Sequence, residues 1–415
     1  MHVIIIGAGV VGLTSAWYLA RQGVQVTLID RQPQVARETS FANGGQLSYD
    51  FVTPLADPAV LPKLPGWLLS ADSPLRFRPR LDPDQWRWCY AFLKACNRRQ
   101  VAQTTWEMLQ LSMHSRQLLD ELLAQHDLPF KLKRTGKLVM HRTISSLAAA
   151  ARGVEYQRSL GSDQRLLNAA ECLALEPALA AVASSIAGGI YTPTEATGDC
   201  RLFCESLFAM LQGLPNVQVL LGQPILKLVR RGAGIAAVRL PDGDVEADAF
   251  VIAAGLDSLR LTAPLGLSLP LYGLRGYSLT CALPAGFKHP ELSVTDAERK
   301  VVYAPLGDEL RIAAMVDMGQ PGAVVDPKRI AQLKRQALEV FPALELAAAN
   351  PWAGLRPATP GSKPIIDRAG PLSNLWLNVG HGALGFTLAC ASAELTASLV
   401  TGQPAQIDTA PFRLA

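Results

Sequence analysis

Near its start the chain carries HVIIIGAGVVG, a short apolar run from Val3 to Ile6 that breaks into Gly7, Gly9 and Gly12. A helical pattern follows, with Val11, Ser15, Tyr18 and Leu19 on one face, and then a second strand-like run, VQVTLID, that ends on Asp30. No other feature limits the fold as strongly. Strand, glycine turn, helix, strand and acid are the parts of a dinucleotide-binding βαβ unit, in order. Each glycine meets a steric demand there: Gly7 makes the turn, Gly9 admits a pyrophosphate to the backbone, and Gly12 lets the helix pack on the sheet. The turn Gly7-Ala8-Gly9-Val10-Val11-Gly12 would present unpaired N–H groups and a positive dipole end to phosphate. Asp30, with Arg31 beside it, is placed to accept hydrogen bonds from a ribose. At this point the ligand is NAD or FAD.

A chain of 415 residues exceeds one core, so two domains are expected, or one with a large insertion. With 49% hydrophobic and 18% charged residues it can bury a sizeable core and is not a disordered chain. The net charge, 39 − 35 = +4, is too mild to indicate nucleic acid. The cysteines (Cys89, Cys96, Cys172, Cys200, Cys204, Cys281 and Cys390) form no CxxC pair and are odd in number. Reduced thiols in a cytoplasmic setting are expected, and no metal site. The N-terminal apolar run lacks a positive flank and is broken by glycines, so it does not read as a signal peptide. LALEPALAAVASSIAGGI contains Glu176 and Pro177, and no transmembrane helix is expected.

Two later segments favour FAD. GDVEADAFVIAAGLDS reads as a polar hairpin approach, a strand Ala249 to Ala253, then Ala254 and Gly255 where the backbone would pass the cofactor. NVQVLLGQPILKLVRR reads as two strands broken at Gly222–Pro224, just before Ile225. The blocks ETSFANGGQLS (Glu38–Ser48), EATGDCRLF (Glu195–Phe203), LRGYSLT, GLRPATPGSKPII and GHGALGFTLACASAEL then follow in order. In that order the chain resembles the FAD-dependent D-amino-acid oxidase superfamily, and within it the bacterial D-amino-acid dehydrogenase small-subunit family. The resemblance covers essentially the whole chain.

It implies an α/β fold, with a Rossmann-like FAD-binding domain interwoven with an α+β substrate domain built on a mixed sheet. The expected boundaries are 1–58, 145–258 and 352–415 for the FAD domain, and 59–144 and 259–351 for the substrate domain. GKLVMHR, GYSLTCAL, KVVYAPLG and LRIAAMV are β-branched or alternating runs that would supply the mixed sheet. The resemblance also implies cofactor contacts at Ser40, Asn43, Gly44, Gly45, Gln46, Ile225, Ala254 and Gly255, and along Gly380, Gly382, Ala383, Leu384, Gly385, Phe386 and Thr387. In the last segment the glycines would let backbone approach a flat ring. Leu388, Leu395 and Leu399 mark a helix with one buried face. Its amino end, near Phe386 and Thr387, would point N–H groups at the flavin C2 carbonyl. Reduced flavin is negative at N1 and O2, so that end would ease reduction.

The reaction implied is oxidation of an amino acid's Cα–N bond to an imine, with hydride passing to flavin N5. The imine then hydrolyses to a 2-oxo acid and ammonia, and electrons go to a quinone or other acceptor. Arg356, in WAGLRPATP, is the candidate carboxylate clamp, because guanidinium and carboxylate pair in a bidentate fork. Tyr303 in VVYAPLG and Tyr277 in RGYSLT are further candidates for the carboxylate, and Gln46 for flavin or substrate. Arg275 reads as a second cation or a structural one, and His381 as a flavin or substrate contact or a satisfied structural histidine. No side chain is expected to be essential as a general base.

From Leu61 to Arg99 the chain is rich in Pro and Trp, and basic. Between Arg76 and Arg99 there are seven Lys or Arg and two Asp, interleaved with Trp86 and Trp88 and preceded by Trp67. Aromatics with basic residues suit a membrane surface or a partner subunit; the other reading is a loop and helix over the active site. Alternative functions are a D-proline or 4-hydroxy-D-proline dehydrogenase, a glycine-oxidase-type oxidase, and a flavin-binding subunit without independent activity.

Overall fold

The structure is a computed structural model that describes all residues except Phe51, Thr53, Ala71, Ala285, Phe287 and Ala415. The side chains of Lys63, Trp67, Leu68 and Leu69 also lie outside the described residues. The apolar strand His2–Ile6 is buried on both faces, as its unbroken Val-Ile-Ile-Ile run requires, and pairs in parallel with Gln25–Ile29 and with Ala249–Ile252. Val217–Leu220 and Leu375–Val379 extend this sheet in parallel, and Ile365–Arg368 closes it antiparallel, giving six strands. The second strand ends at Ile29, so Asp30 lies just beyond it. One face is covered by the fingerprint helix, Val10–Arg21, the helix Cys200–Gln212 and the C-terminal helix, Gly385–Thr401. On the other face lies a three-stranded antiparallel sheet, Lys227–Arg231, Gly234–Leu240 and Gly243–Glu246.

The C-terminal helix departs from its expected one buried face: it is buried almost all round. Its small residues, Ala389, Ala391, Ala393 and Ala397, let it fit between the fingerprint helix and the long helix Arg98–Gln125. It also buries Glu394, which takes His114 at 3.3 Å and accepts from the Ser398 hydroxyl at 2.8 Å.

A nine-stranded mixed sheet forms the second layer. Its order begins with the strand of Arg356 (Asn350–Ala358), then Tyr272–Ala282, Glu309–Met318, Val301–Leu306, Ser293–Asp296 and Lys137–His141. Gly188–Thr192 and Arg165–Asn168 follow, and Leu75–Phe77 pairs with the end of Glu309–Met318. The expected sheet runs all lie here. So do Arg165–Asn168, Gly188–Thr192 and the Arg356 strand, which the expected boundaries assign to the FAD domain, the last of them from Trp352 onward. Tyr277, Leu279, Tyr303, Leu310 and Ile312 point to one face, packed against the helix Pro327–Val340 and the short 3-10 turns Pro177–Ser185. Alternation turns Leu274, Gly276, Ser278 and Val302 to the opposite face, toward a large cavity.

Candidate active site

The cavity, about 1220 Å³, lies between the amino ends of the fingerprint and C-terminal helices and this face of the nine-stranded sheet. The fingerprint turn is built as a cradle. Gly7 adopts φ +112°, and a Cβ there would stand 2.5 Å from the Ala253 carbonyl oxygen. A Cβ on Gly12 would stand 1.8 Å from the Gly7 oxygen, so this glycine allows turn and helix to touch. Ala8 and Gly12 do not line the cavity; they shape the turn that does. The Ser40 hydroxyl accepts from Val10 N–H at 3.1 Å, and Leu13 is the first helical residue to bond back, to Gly9 O at 3.0 Å. Val11 and Gly12 N–H therefore stay open at the amino end. Asp30 accepts from Ala8 N–H at 2.6 Å and Gln32 N–H at 2.7 Å and keeps lone pairs for further donors. Burial pushes its carboxyl above the usual range, opposed by those two bonds. Arg31 pairs with Glu38 at 2.9 Å and Asp257 at 3.4 Å on the cavity rim.

The Ala42–Gln46 loop is pinned from the sheet side. Ser278 donates to Ala42 O at 2.7 Å, and buried Arg311 donates to Asn43 O at 3.0 Å and to Asp199 at 2.9 Å. Asp199 caps the helix Cys200–Gln212 through Arg201 and Leu202 N–H. The TGDC block thus fixes this loop from below, a role that sequence reading missed. Asn43 accepts from Gly45 N–H at 3.0 Å, and Gln46 donates to Ser293 on the sheet. Asn43, Gly44, Gly45 and Gln46 all line the cavity, as do Ile225, Ala254 and Gly255. At the far end Gly380 and Gly382 take φ +82° and +57°, and Ala383, Leu384, Gly385, Phe386 and Thr387 complete the wall. Leu388 is the first residue of the C-terminal helix to bond back, to Leu384 O at 2.9 Å, so its first three N–H groups are open. Two helix amino ends, a backbone cradle and a ribose-accepting acid fit FAD, and these residues would hold it.

Arg356 lies in the cavity with its guanidinium across Gly276, where a Cβ would stand 2.3 Å from Nη2. It donates to Met315 O at 3.1 Å and meets no carboxylate among the described residues. Burial pulls its guanidinium down from its ordinary value, which is high enough to keep it charged. Met315 itself is left-handed, φ +67°, where the pairing of Tyr272–Ala282 with Glu309–Met318 slips by a residue. That bulge turns the Met315 carbonyl toward Arg356. Leu274, Met318, Phe77, Trp88 and Phe92 form an apolar wall nearby, with Trp88 held by Ala358 O at 2.8 Å and stacked on Phe92.

Other expected site residues are turned elsewhere. Tyr303 is fully buried on the far face, its hydroxyl 3.4 Å from Gln336 O and its ring against Phe341; its neighbour Val302 faces the cavity. Tyr277 borders the cavity, but its hydroxyl is committed to Asp317 at 2.8 Å and is pushed up to about 12, chiefly by burial. Arg275 donates to Gly322 O at 2.9 Å and to Pro321 O, as a structural cation. His381 lines the cavity, yet its Nε2 meets the Ser392 hydroxyl at 2.9 Å inside the C-terminal helix. Burial pushes its imidazole down to about 3, so it stays neutral. Lys137, on the strand Lys137–His141, is a buried cavity residue that sequence reading missed.

The Leu61–Arg99 segment lies over the cavity. Leu64, Leu75, Phe77, Trp86, Trp88, Cys89, Phe92 and Leu93 line it, which is the active-site reading of that stretch. Arg76 is tied down to Asp326 at 2.7 Å. Leu81, Tyr90 and Trp86 remain exposed beside Arg87 and Lys94. All seven cysteines are free, and Cys390 lies inside the C-terminal helix with its thiol pushed up to about 12 by burial. Among the described residues there is no cluster of metal-binding side chains, and no helix long and apolar enough to cross a membrane.

Residues 2–399 match the family model described as FAD dependent oxidoreductase (DAO). The chain belongs to this family of FAD-dependent oxidoreductases. It is 45% identical over 425 residues, all of both chains, to D-amino acid dehydrogenase 2 of Ralstonia nicotianae. It is 48% identical to D-amino acid dehydrogenase 2 of Pseudomonas aeruginosa, over 98% of this chain and 97% of that one. Among solved structures, glycine oxidase from Geobacillus kaustophilus shares the fold, with TM-score 0.78 at 22% identity, covering 100% of this chain and 98% of that one.

Proposed function

We propose that the chain is a D-amino-acid dehydrogenase, which oxidises the Cα–N bond of D-amino acids to an imine that water converts to a 2-oxo acid and ammonia. The observation that carries this reading is Arg356, a half-buried guanidinium that lines the cavity and meets no carboxylate among the described residues. A partly desolvated charge without an ionic partner is the place for a ligand that supplies one. An amino acid's carboxylate is such a ligand, and full-length relatives named D-amino acid dehydrogenase support the substrate class. The chemistry FAD supplies when bound is two-electron acceptance. The chain's own residues do the rest: Arg356 fixes the carboxylate, the apolar wall around Leu274, Met318 and Trp88 takes the side chain, and the Leu61–Arg99 segment keeps water out.

Electrons pass on to a quinone or other acceptor. The exposed Leu81, Trp86 and Tyr90 with Arg87 and Lys94 favour a peripheral contact with the cytoplasmic face of a membrane. The direct test compares D-amino acids with amines of the same side chain that lack the carboxylate, using a dye acceptor. Turnover of the acids alone is expected; equal turnover of both would remove the clamp.

A further inference from the structure

Lys137 is unusual for a lysine: it is only 5% exposed and still lines the cavity. Its strand runs between Gly188–Thr192 and Ser293–Asp296, so the backbone holds it rigidly at the cavity floor. The ammonium donates to the Ser48 hydroxyl at 3.1 Å. Ser48 N–H in turn donates to the Thr387 hydroxyl at 3.0 Å, and Thr387 sits in the open first turn of the C-terminal helix. On the adjacent strand, Ser293 receives the Gln46 amide. The Lys137 ammonium is therefore linked, through the Ser48 side chain and then the Ser48 backbone N–H and the Thr387 hydroxyl, to the amino end of the C-terminal helix at the cavity. Burial pulls the Lys137 ammonium down from its ordinary value, and the Glu195 carboxylate nearby opposes that by favouring the charged form.

We infer that the Lys137 ammonium tunes the reduction potential of the bound flavin, adding positive charge to the partial charge of the C-terminal helix at the end of the ring where reduction deposits negative charge. This deepens the flavin orientation expected above and rests on it, but not on the identity of the substrate. Charge buried beside a low-dielectric cavity acts more strongly than charge in water, and it costs no reorganisation when the electrons arrive. The sign is fixed: removing the cation must make the flavin harder to reduce.

The test is the two-electron midpoint potential of FAD-loaded protein, read against redox dyes with a chemical reductant and no amino acid present. Lys137→Met and Lys137→Gln should lower the reduced-to-oxidised equilibrium tenfold or more, about 30 mV per tenfold for a two-electron couple. Lys137→Arg should stay within threefold of the parent. A loaded Met or Gln variant within threefold of the parent overturns the inference, as does one whose equilibrium shifts toward the reduced flavin. Should neither neutral variant fold, Glu195→Gln is made in the Lys137→Arg background, where the guanidinium keeps its charge without the carboxylate; the potential must then rise, and an unchanged or lower value overturns the inference. Because no amino acid enters the measurement, failure here leaves the D-amino-acid reading standing, and failure of that reading leaves this one testable.

Discussion

At Arg356 one side chain brings charge, partial burial and a place on the cavity wall together. Arg356→Ala should raise KM for D-amino acids about ten- to a hundredfold, the loss of a charge-assisted interaction of about 1.5–3 kcal/mol. Arg356→Lys should recover only part of it, because an ammonium lacks the planar fork; steady-state kinetics on both variants decides. Tyr303→Phe should leave kcat and KM unchanged, since its hydroxyl faces Gln336 and not the cavity. A raised KM in that variant would return Tyr303 to the substrate. His381 makes a prediction in pH. Its folded value, about 3, lies below the ordinary value of about 6.5. Between the two the unfolded chain takes up a proton that the folded chain refuses, so stability falls as pH drops through that window. His381→Gln should flatten this part of the stability curve, measured by denaturant melts from pH 4 to 7.

Elements show what the residues could announce and what they could not. The fingerprint unit was legible because its glycines answer local demands, and each makes a separate prediction. Gly12→Ala puts a methyl 1.8 Å from the Gly7 oxygen, inside the packed unit, and should lower the thermal midpoint markedly along with FAD content. A Cβ on Gly9 would stand 3.3 Å from the Ser40 hydroxyl, and Gly9→Val adds two methyl groups beyond it at the cavity wall. It should yield colourless protein with a smaller loss of midpoint; full flavin content would move the pyrophosphate elsewhere. The strands of the mixed sheet were legible too, as alternating apolar runs, but their parity was not. Alternation states that Tyr303 and Val302 face opposite ways; only packing against the helix Pro327–Val340 decides which faces the cavity. Lys137 was invisible for a related reason: a lysine in GKLVMHR reads as a solvated strand residue until the neighbouring strands bury it. The C-terminal helix shows the converse, since small residues that read as a bland face are what allow its burial on every side.

Across the whole molecule, the two layers are sewn together at the cavity. The Arg356 strand leaves the nine-stranded sheet and the chain soon re-enters the six-stranded one at Ile365–Arg368. No composition shift marks such crossings, which is why boundaries drawn from sequence fall inside the mixed sheet. The Leu61–Arg99 segment closes the cavity and presents a mixed aromatic and basic surface. Trp88→Ala should cost about 3 kcal/mol of stability and raise KM, because the indole both fills the wall and ties the segment to Ala358. The central claim is met most directly by anaerobic mixing of the FAD-loaded protein with matched D- and L-amino acids while the flavin's visible absorbance is followed. Bleaching by the D-enantiomers alone, with slow recovery in air, is the predicted result. Bleaching by L-enantiomers, or none by any amino acid with flavin fully bound, would contradict it.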